Sequence, residues 1–281
     1  MAREVVHAPR GAVREAVTER DTHQAAVAAQ HHEQLVVVPV VVEREGLLAR
    51  RHHDQAAAQV RQAQHAADAA GLLIDILTPI AKSWPSEWCL EANSLAIQVH
   101  GGYGYTRDFP VEQYWRDNRL NMIHEGTHGI QALDLLGRKV VMDGGKGLQL
   151  LAGTINATIQ RALAVPELAV FANELAAALA EVGRATKAAW ATGVAEEALA
   201  NAVPYLQAFG HTVIAWIWLD VALCVHAKLG QGAAADDEAA LRGKLAACRF
   251  FYRHDLPKVA AWLQVVASRD DTCRTMAEEG F

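Results

Sequence analysis

The sequence predicts an all-α protein, a bundle of helix pairs joined by short connections. Three observations carry that prediction. From Leu72 onward the apolar residues return every three or four positions, the period of one helix face, and no segment there alternates as a half-buried strand would. The single strand-like run, Leu35 to Val42, holds Pro39, which lacks the N–H that a ladder needs, so the run is an edge strand or no strand. The stripes are separated by glycines and prolines at the places where helices stop and start.

Taken in order, Leu72, Leu73, Ile76 and Leu77 form the first stripe, which Pro79 should limit. Pro85 suits the first turn of the next helix, with Leu90 and Ile97 on its buried face and Gly101-Gly102 at its end. A helix from about Thr127 to Val141 carries Ile130, Leu133, Leu136 and Val140 on one face, and the run Asp143-Gly-Gly-Lys-Gly147 breaks it. Leu148, Leu151, Ile155 and Ile159 then form one stripe, and Leu168, Phe171, Leu175, Leu179 and Val182 another. A helix from about Pro204 to Leu229 is closed by Gly230 to Gly232. Asp236 can cap a helix bearing Leu241, Leu245 and Phe251, and Asp255 with Pro257 starts a last one with Val259, Trp262, Leu263 and Val266.

The composition shifts near residue 70. The first 83 residues hold no Phe, Trp or Tyr, no lysine precedes Lys82, and seven of the 13 histidines lie between His7 and His65. Aromatic side chains are the largest buried groups of an ordinary core, so residues 1–69 read as an atypical leader. It is either a disordered or loosely helical tail, with Gln55 to Ala70 continuing into a helix, or the text of a gene read out of frame. The expected division is this leader, a helical domain over 70–145 and a helical extension over 146–281.

Apolar residues make up 52% of the 281, enough for a sizeable core. The net charge of −6 argues against non-specific nucleic-acid binding, which needs a positive field. Four cysteines, none in CxxC spacing, exclude a dense disulfide framework and argue against a zinc ribbon or a redox dithiol. Arg3, Glu4 and Arg10 leave no apolar core for a secretory signal. The longest apolar stretch, Val213 to Val225, is interrupted by Asp220 and is too short to span a bilayer. A soluble, cytoplasmic protein without a membrane span is expected.

Several motif-like stretches carry no chemistry. His31-His32-Glu33 and His52-His53-Asp54 are not HExxH, and adjacent histidines on a helix point to different faces, so no metal site is expected. Gly144-Gly145-Lys146-Gly147 lacks the spacing of a phosphate loop and reads as a turn. No GxSxG is present. One block stands apart: Gln98-Val-His-Gly101-Gly102-Tyr-Gly104-Tyr105, then Asp117, then His124-Glu125-Gly126-Thr127. Three glycines in four positions let the backbone turn tightly and approach a ligand. Glu125 precedes a helix start, where the dipole favours a carboxylate and capping is the ordinary role.

Ala96 to Val140, AIQVHGGYGYTRDFPVEQYWRDNRLNMIHEGTHGIQALDLLGRKV, closely resembles the C-terminal helical domain of the acyl-CoA dehydrogenases. Gln98, Gly101, Gly102, Gly104, Tyr105, Asp108 and Asp117 fit that family's pattern. Gln113 departs from it, since the family usually has Lys or Arg there, and so does Gly129, at a position that is often Gln. The tail from Lys146 to Met276-Ala-Glu-Glu-Gly-Phe281 resembles the extra helical extension of one branch, which includes 3-methylmercaptopropionyl-CoA dehydrogenases. The resemblance covers about 70–281.

The resemblance implies FAD-dependent oxidation of an acyl-CoA thioester to the 2-enoyl-CoA, with electrons passing to an electron-transfer flavoprotein. Glu125 matches the family's catalytic base, and Glu125 with Gly126 matches the substrate contact, the Glu125 backbone N–H facing the thioester oxygen. Gln98, Val99, His100, Gly101 and Gly102 match a segment that contacts FAD, usually that of a neighbouring subunit in a homo-oligomer, and Thr127 matches a further flavin contact. The family's preceding helical and β-domains, and an arginine that meets the FAD pyrophosphate, have no match here. The expectation is therefore a C-terminal portion that is inactive alone, the alternative being a non-catalytic helical interaction module derived from the family.

Overall fold

Among the described residues every regular element is helical and there is no strand, as the apolar periods predict. The computed structural model describes residues 42–124, 127–232 and 234–280; most of the strand-like run at 35–42 therefore lies outside the described residues. The chain divides into two compact units, 1–64 and 65–281. Residues 42–64, the described part of the first, are wholly helical.

The first helix, α1 (Val42–His100), is 59 residues long and runs straight through Pro79 and Pro85. This corrects the expected break. Each proline removes one backbone bond and crowds the preceding turn, at about 3 kcal/mol. Against that, Ile76, Ile80 and Ser83 fall on one face and are fully buried in the core, and each buried isoleucine returns roughly 1.5–3 kcal/mol. Thr78 Oγ1 donates to the Ile74 carbonyl at 2.6 Å and Ser86 Oγ to the Ser83 carbonyl at 2.8 Å, so the hydroxyls beside the prolines are satisfied within the helix. The Ala/Gln-rich stretch from Gln55 to Ala70 lies inside α1, as expected. Leu90 and Ile97 are only half-buried.

A short 3₁₀ turn, Gly101–Tyr105, follows, then α2 (Val111–Arg119) and α3 (Asn121–His124). The helix α4 (His128–Asp134) passes into a π turn, Leu135–Lys139. Its buried set is Ala132, Leu135, Leu136 and Val140. Ile130 and Leu133, expected on the buried face, are largely exposed; the widened π turn rotates the apolar stripe. Lys139 is buried and ion-paired with Asp75 of α1, and the lysine beside it holds the Asp75 carboxyl below the usual carboxylate range. Asp143, Gly144 and Gly145 all have positive φ and break the chain as expected.

The remaining helices are α5 (Lys146–Leu163), α6 (Ala169–Ala189), α7 (Ala195–Leu199), α8 (Ala202–Gly230), α9 (Ala235–Phe250), α10 (Lys258–Ser268) and α11 (Thr272–Thr275). The helix α8 is central, packed against α4, α5, α6, α9 and α10. By length and composition it could cross a membrane. Here it is the core helix, burying Tyr205, Leu206, Phe209, Val213, Leu219 and Val225. Two buried phenols at this helix are hydrogen-bonded, as interiors require. Tyr205 Oη meets Thr186 Oγ1 at 2.6 Å, while that hydroxyl donates to the Val182 carbonyl. Tyr252 Oη donates to the Ala215 carbonyl at 2.9 Å. Burial raises the pKa of both phenols. Val259, Leu263 and Val266 of α10 are buried as the stripe predicts. Asp255 bonds the Lys258 ammonium at 2.6 Å instead of capping the backbone.

Candidate functional site

The glycine-rich block forms a tight turn at the end of α1. Helix geometry stops at His100, and Gly101 takes φ +60°, a region that favours glycine. Gly104 is the packed member: a Cβ there would lie 2.4 Å from the Ile97 carbonyl oxygen. Gly101 and Gly102 are the open members, with nothing within 4 Å of where a Cβ would stand. The rings of His100 and Phe109 lie 4.6 Å apart, and Tyr103 meets Phe109 edge-on at 6.2 Å. Gln98, Val99 and His100 are exposed, and Val99 and Tyr105 are about as open as side chains on a folded chain become (85% and 86%).

Asp108 and Asp117 are both held locally. The Asp108 N–H donates to Thr106 Oγ1 at 3.3 Å, and that hydroxyl lies 3.0 Å from Asp108 Oδ2. Asp117 accepts from the Gln113 amide at 3.2 and 3.4 Å. Gln113 thus gives a neutral bond one helix turn from the carboxylate, where Lys or Arg would give an ion pair. Asn93 Nδ2 donates to the Tyr114 carbonyl at 3.3 Å and ties α2 to α1. Between α1 and the α2–α3 corner is a cleft of about 450 Å³, lined by Lys82, Ser86, Cys89, Asn118, Asn121 and His124 among others. Asn121 Nδ2 donates to Asn118 Oδ1 at 2.7 Å, which leaves the buried Asn118 Nδ2 without a protein partner.

Glu125 and Gly126, the candidate base and substrate contact, lie outside the described residues. Thr127 is exposed at the N-cap of α4, its side chain caps no backbone N–H, and its carbonyl accepts the Gln131 N–H at 3.0 Å. Its neighbour His128 is tied to α1: Nδ1 lies 2.5 Å from Ser83 Oγ, and Nε2 lies 3.7 Å from a Glu87 carboxylate oxygen. Ser83 and Gln98 are 15 residues apart on one helix, so the two candidate flavin contacts, Gln98–Gly102 and Thr127, stand about 20 Å apart along its axis. They do not converge on one small pocket; they suit an extended ligand or two separate ones.

Sequence reasoning did not single out the polar cluster behind His128. Gln207 of α8 donates its amide to Glu87 and accepts Trp88 Nε1–H at 3.0 Å. One turn on, His211 is fully buried among Trp84, Trp88, Phe251 and Trp262. Burial pushes its pKa down to about 4, against a smaller opposing contribution from the Gln207 carbonyl. The local signals, Trp84/Trp88 and Gln207/His211 at i, i+4, were present, but nothing local says that these two helices meet. Among the described residues no cluster of three metal-ligating side chains occurs.

Residues 7–140 match the family described as "Acyl-CoA dehydrogenase, C-terminal domain", and 151–277 the family described as "Acetyl-CoA dehydrogenase C-terminal like". The first match takes in most of the leader that composition sets apart. A broad-specificity linear acyl-CoA dehydrogenase of Mycobacterium tuberculosis is 29% identical over 234 residues, 80% of this chain and 38% of the relative. A 3-methylmercaptopropionyl-CoA dehydrogenase of Ruegeria pomeroyi is 32% identical over 213 residues, 72% of this chain and 34% of the relative. Over 58 residues, 21% of the chain and 15% of the relative, it is 43% identical to subunit CarC of the caffeyl-CoA reductase-Etf complex of Acetobacterium woodii. The chain thus spans little more than a third of the length of the Mycobacterium tuberculosis and Ruegeria pomeroyi relatives.

Proposed function

Because the chain belongs to the acyl-CoA dehydrogenase family, we propose that it supplies the helical wall of a flavin site at which an acyl-CoA thioester is dehydrogenated. The observation that carries this reading is the turn at the end of α1. Two open glycines beside an exposed Gln98 and His100 leave backbone N–H groups accessible to a flat, polar ligand. That surface fits one side of FAD and encloses none of it. Holding a cofactor takes burial and several converging groups, so other chain segments must complete the site. A neighbouring subunit of a homo-oligomer fits this geometry, since the second contact, Thr127, stands a helix length away.

Bound FAD would accept the β-hydrogen of the substrate as hydride. Glu125 takes the α-proton. That proton is weakly acidic, so the carboxylate must be poorly solvated to be a competent base. The backbone N–H of Glu125 donates to the thioester oxygen, where negative charge develops as the proton leaves, and Gly126 keeps side-chain bulk away from that oxygen. The product is the 2-enoyl-CoA, and an electron-transfer flavoprotein is the proposed electron acceptor. The segments 70–145 and 146–281 serve as flavin-facing domain and buttressing extension, and the chain works in the cytoplasm. On this reading the chain alone neither retains FAD stoichiometrically nor turns over.

The test is Glu125→Gln in whatever assembly of this chain reduces flavin with acyl-CoA. Gln has nearly the same shape but cannot accept the proton. Flavin reduction should be abolished while FAD stays bound; bleaching at a near-normal rate places the base elsewhere. A second reading, a non-catalytic interaction module, is favoured by the exposed aromatics Tyr103, Tyr105, Tyr114 and Trp115. It predicts that no flavin is bound in any assembly.

A further inference from the structure

We propose that His128 is a positioning residue, and that the C-terminal extension sets the base-bearing segment through the contacts Gln207–Glu87–His128–Ser83. This rests on the reading of Glu125 as the base. Three elements meet here: α1 brings Ser83 and Glu87, α4 begins with His128, and α8 of the extension brings Gln207. Ser83 is fully buried, and its hydroxyl lies 2.5 Å from His128 Nδ1. The other ring nitrogen packs against the Glu87 carboxylate at 3.7 Å, too long for a hydrogen bond. That same carboxylate oxygen takes the Gln207 amide. Gln207 is itself buried and held at its other end by the Trp88 indole at 3.0 Å.

The imidazole is thus bonded at Nδ1, its Nε2 is buried without a hydrogen-bond partner against the Glu87 carboxylate, and that carboxylate is fixed from the extension. His128 stands three residues after Glu125. Three residues of chain reach at most about 10 Å, so an anchor at His128 confines the backbone of the base. Proton abstraction is sensitive to such placement: a misplacement of about 1 Å can lower a rate by about 10²-fold. Gln207, some eighty residues away in sequence and in a different family domain match, becomes part of the apparatus that aims Glu125 without touching the substrate.

The test uses the full chain and reads amide hydrogen exchange. In Gln207→Leu the Gln131 amide, whose bond to Thr127 closes the first turn of α4, should exchange about tenfold faster, the worth of one bond to a charged group. The amides of α5 and α6 should not change. His128→Asn, at a half-buried position, should do the same. Joining Glu87→Gln with Gln207→Glu rebuilds an amide–carboxylate bond and should restore slow exchange at the Gln131 amide. Unchanged exchange at Gln131, or faster exchange spread evenly over the bundle, overturns the coupling. In an assembly that reduces flavin, Gln207→Leu should lower kcat about 10²-fold and leave KM within about threefold. Wild-type kcat beside raised exchange overturns the positioning role. If the wild-type assembly never reduces flavin, the dehydrogenase reading has failed, and the exchange result still decides the coupling.

Discussion

Trp84 points its indole Nε1–H at His211 Nδ1 across 3.0 Å, and the Gln207 carbonyl lies equally close to that nitrogen, in a histidine with no solvent contact. Nδ1 is thus the polar edge of the ring. Nε2 has no polar partner. The Trp88 and Trp262 rings stand edge-on to the imidazole at 4.8 Å each and enclose it in aromatic surface. A neutral histidine fits this cage and an imidazolium does not.

That relationship makes stability depend on pH in a defined window. The folded pKa is about 4, below the ordinary 6.5. Between those values the unfolded chain binds a proton that the folded chain refuses, so this contribution is complete above pH 6.5 and is lost as pH falls to about 4. A shift of that size corresponds to roughly 3 kcal/mol. His211→Phe, which fills the cage without a titrating group, should flatten the loss of unfolding free energy measured by urea titration between pH 7 and 4. Parallel wild-type and variant curves would place the acid sensitivity elsewhere.

Gly210, next to His211, is where α8 lets Trp84 lie across it. A Cβ there would stand 2.5 Å from Trp84 Cδ1 and 3.2 Å from Cγ. Gly210→Ala, which raises helix propensity by about 1 kcal/mol on an exposed helix, should here destabilise by about 1–3 kcal/mol through overpacking. A thermal midpoint equal to or above wild type would show that the indole moves aside freely.

The contrast between α1 and α8 shows what was legible in the sequence. The α8 period, the Gly230–Gly232 stop and the stripes of α5, α6 and α10 could be read directly, because each depends on neighbours three or four residues away. The passage of α1 through Pro79 could not, because Ile76 and Ile80 outweigh a proline only once the bundle core is packed around them. Ile130 and Leu133 were placed on the wrong face because a π turn inserts one extra residue per turn without a sequence mark. The glycine block was legible as a turn at the end of a helix, and the structure separates its packed member, Gly104, from its open ones. The Ser83–His128–Glu87–Gln207 set was not legible, since it joins three helices through contacts of 45 and 120 residues' separation.

The four cysteines divide in the same physical way. Cys248 is buried and its thiol is pushed up to about 12 by burial, while Cys89, Cys224 and Cys273 are exposed. Thiolate is the reactive form. Titration of the native protein with a disulfide reagent at pH 8 should therefore modify three thiols promptly and the fourth only after denaturant is added. Four prompt equivalents would mean that the α9 end opens readily; fewer than three would mean that the exposed thiols are covered in an assembly.

The two kinds of glycine in the turn after α1 give a test that separates folding from flavin contact. Gly104→Ala forces a Cβ to within 2.4 Å of the Ile97 carbonyl oxygen and has no flexible side chain to displace. The turn must deform, with an expected loss of about 1–3 kcal/mol in the unfolding of the full chain. Gly102→Ala adds a methyl group into open space, at a residue whose φ is not positive, so its unfolding free energy should stay within about 0.5 kcal/mol of wild type. If Gly102 is where a flavin lies against the backbone, that harmless methyl group occupies the volume the ring or its phosphate chain needs. In an assembly that binds FAD, Gly102→Ala should weaken FAD retention at least about tenfold, the scale of a clash of 1–2 kcal/mol, while leaving the thermal midpoint of the apoprotein unchanged. Unaltered FAD affinity with unaltered stability would remove the turn from the cofactor site and leave Thr127 as the flavin contact to be tested next.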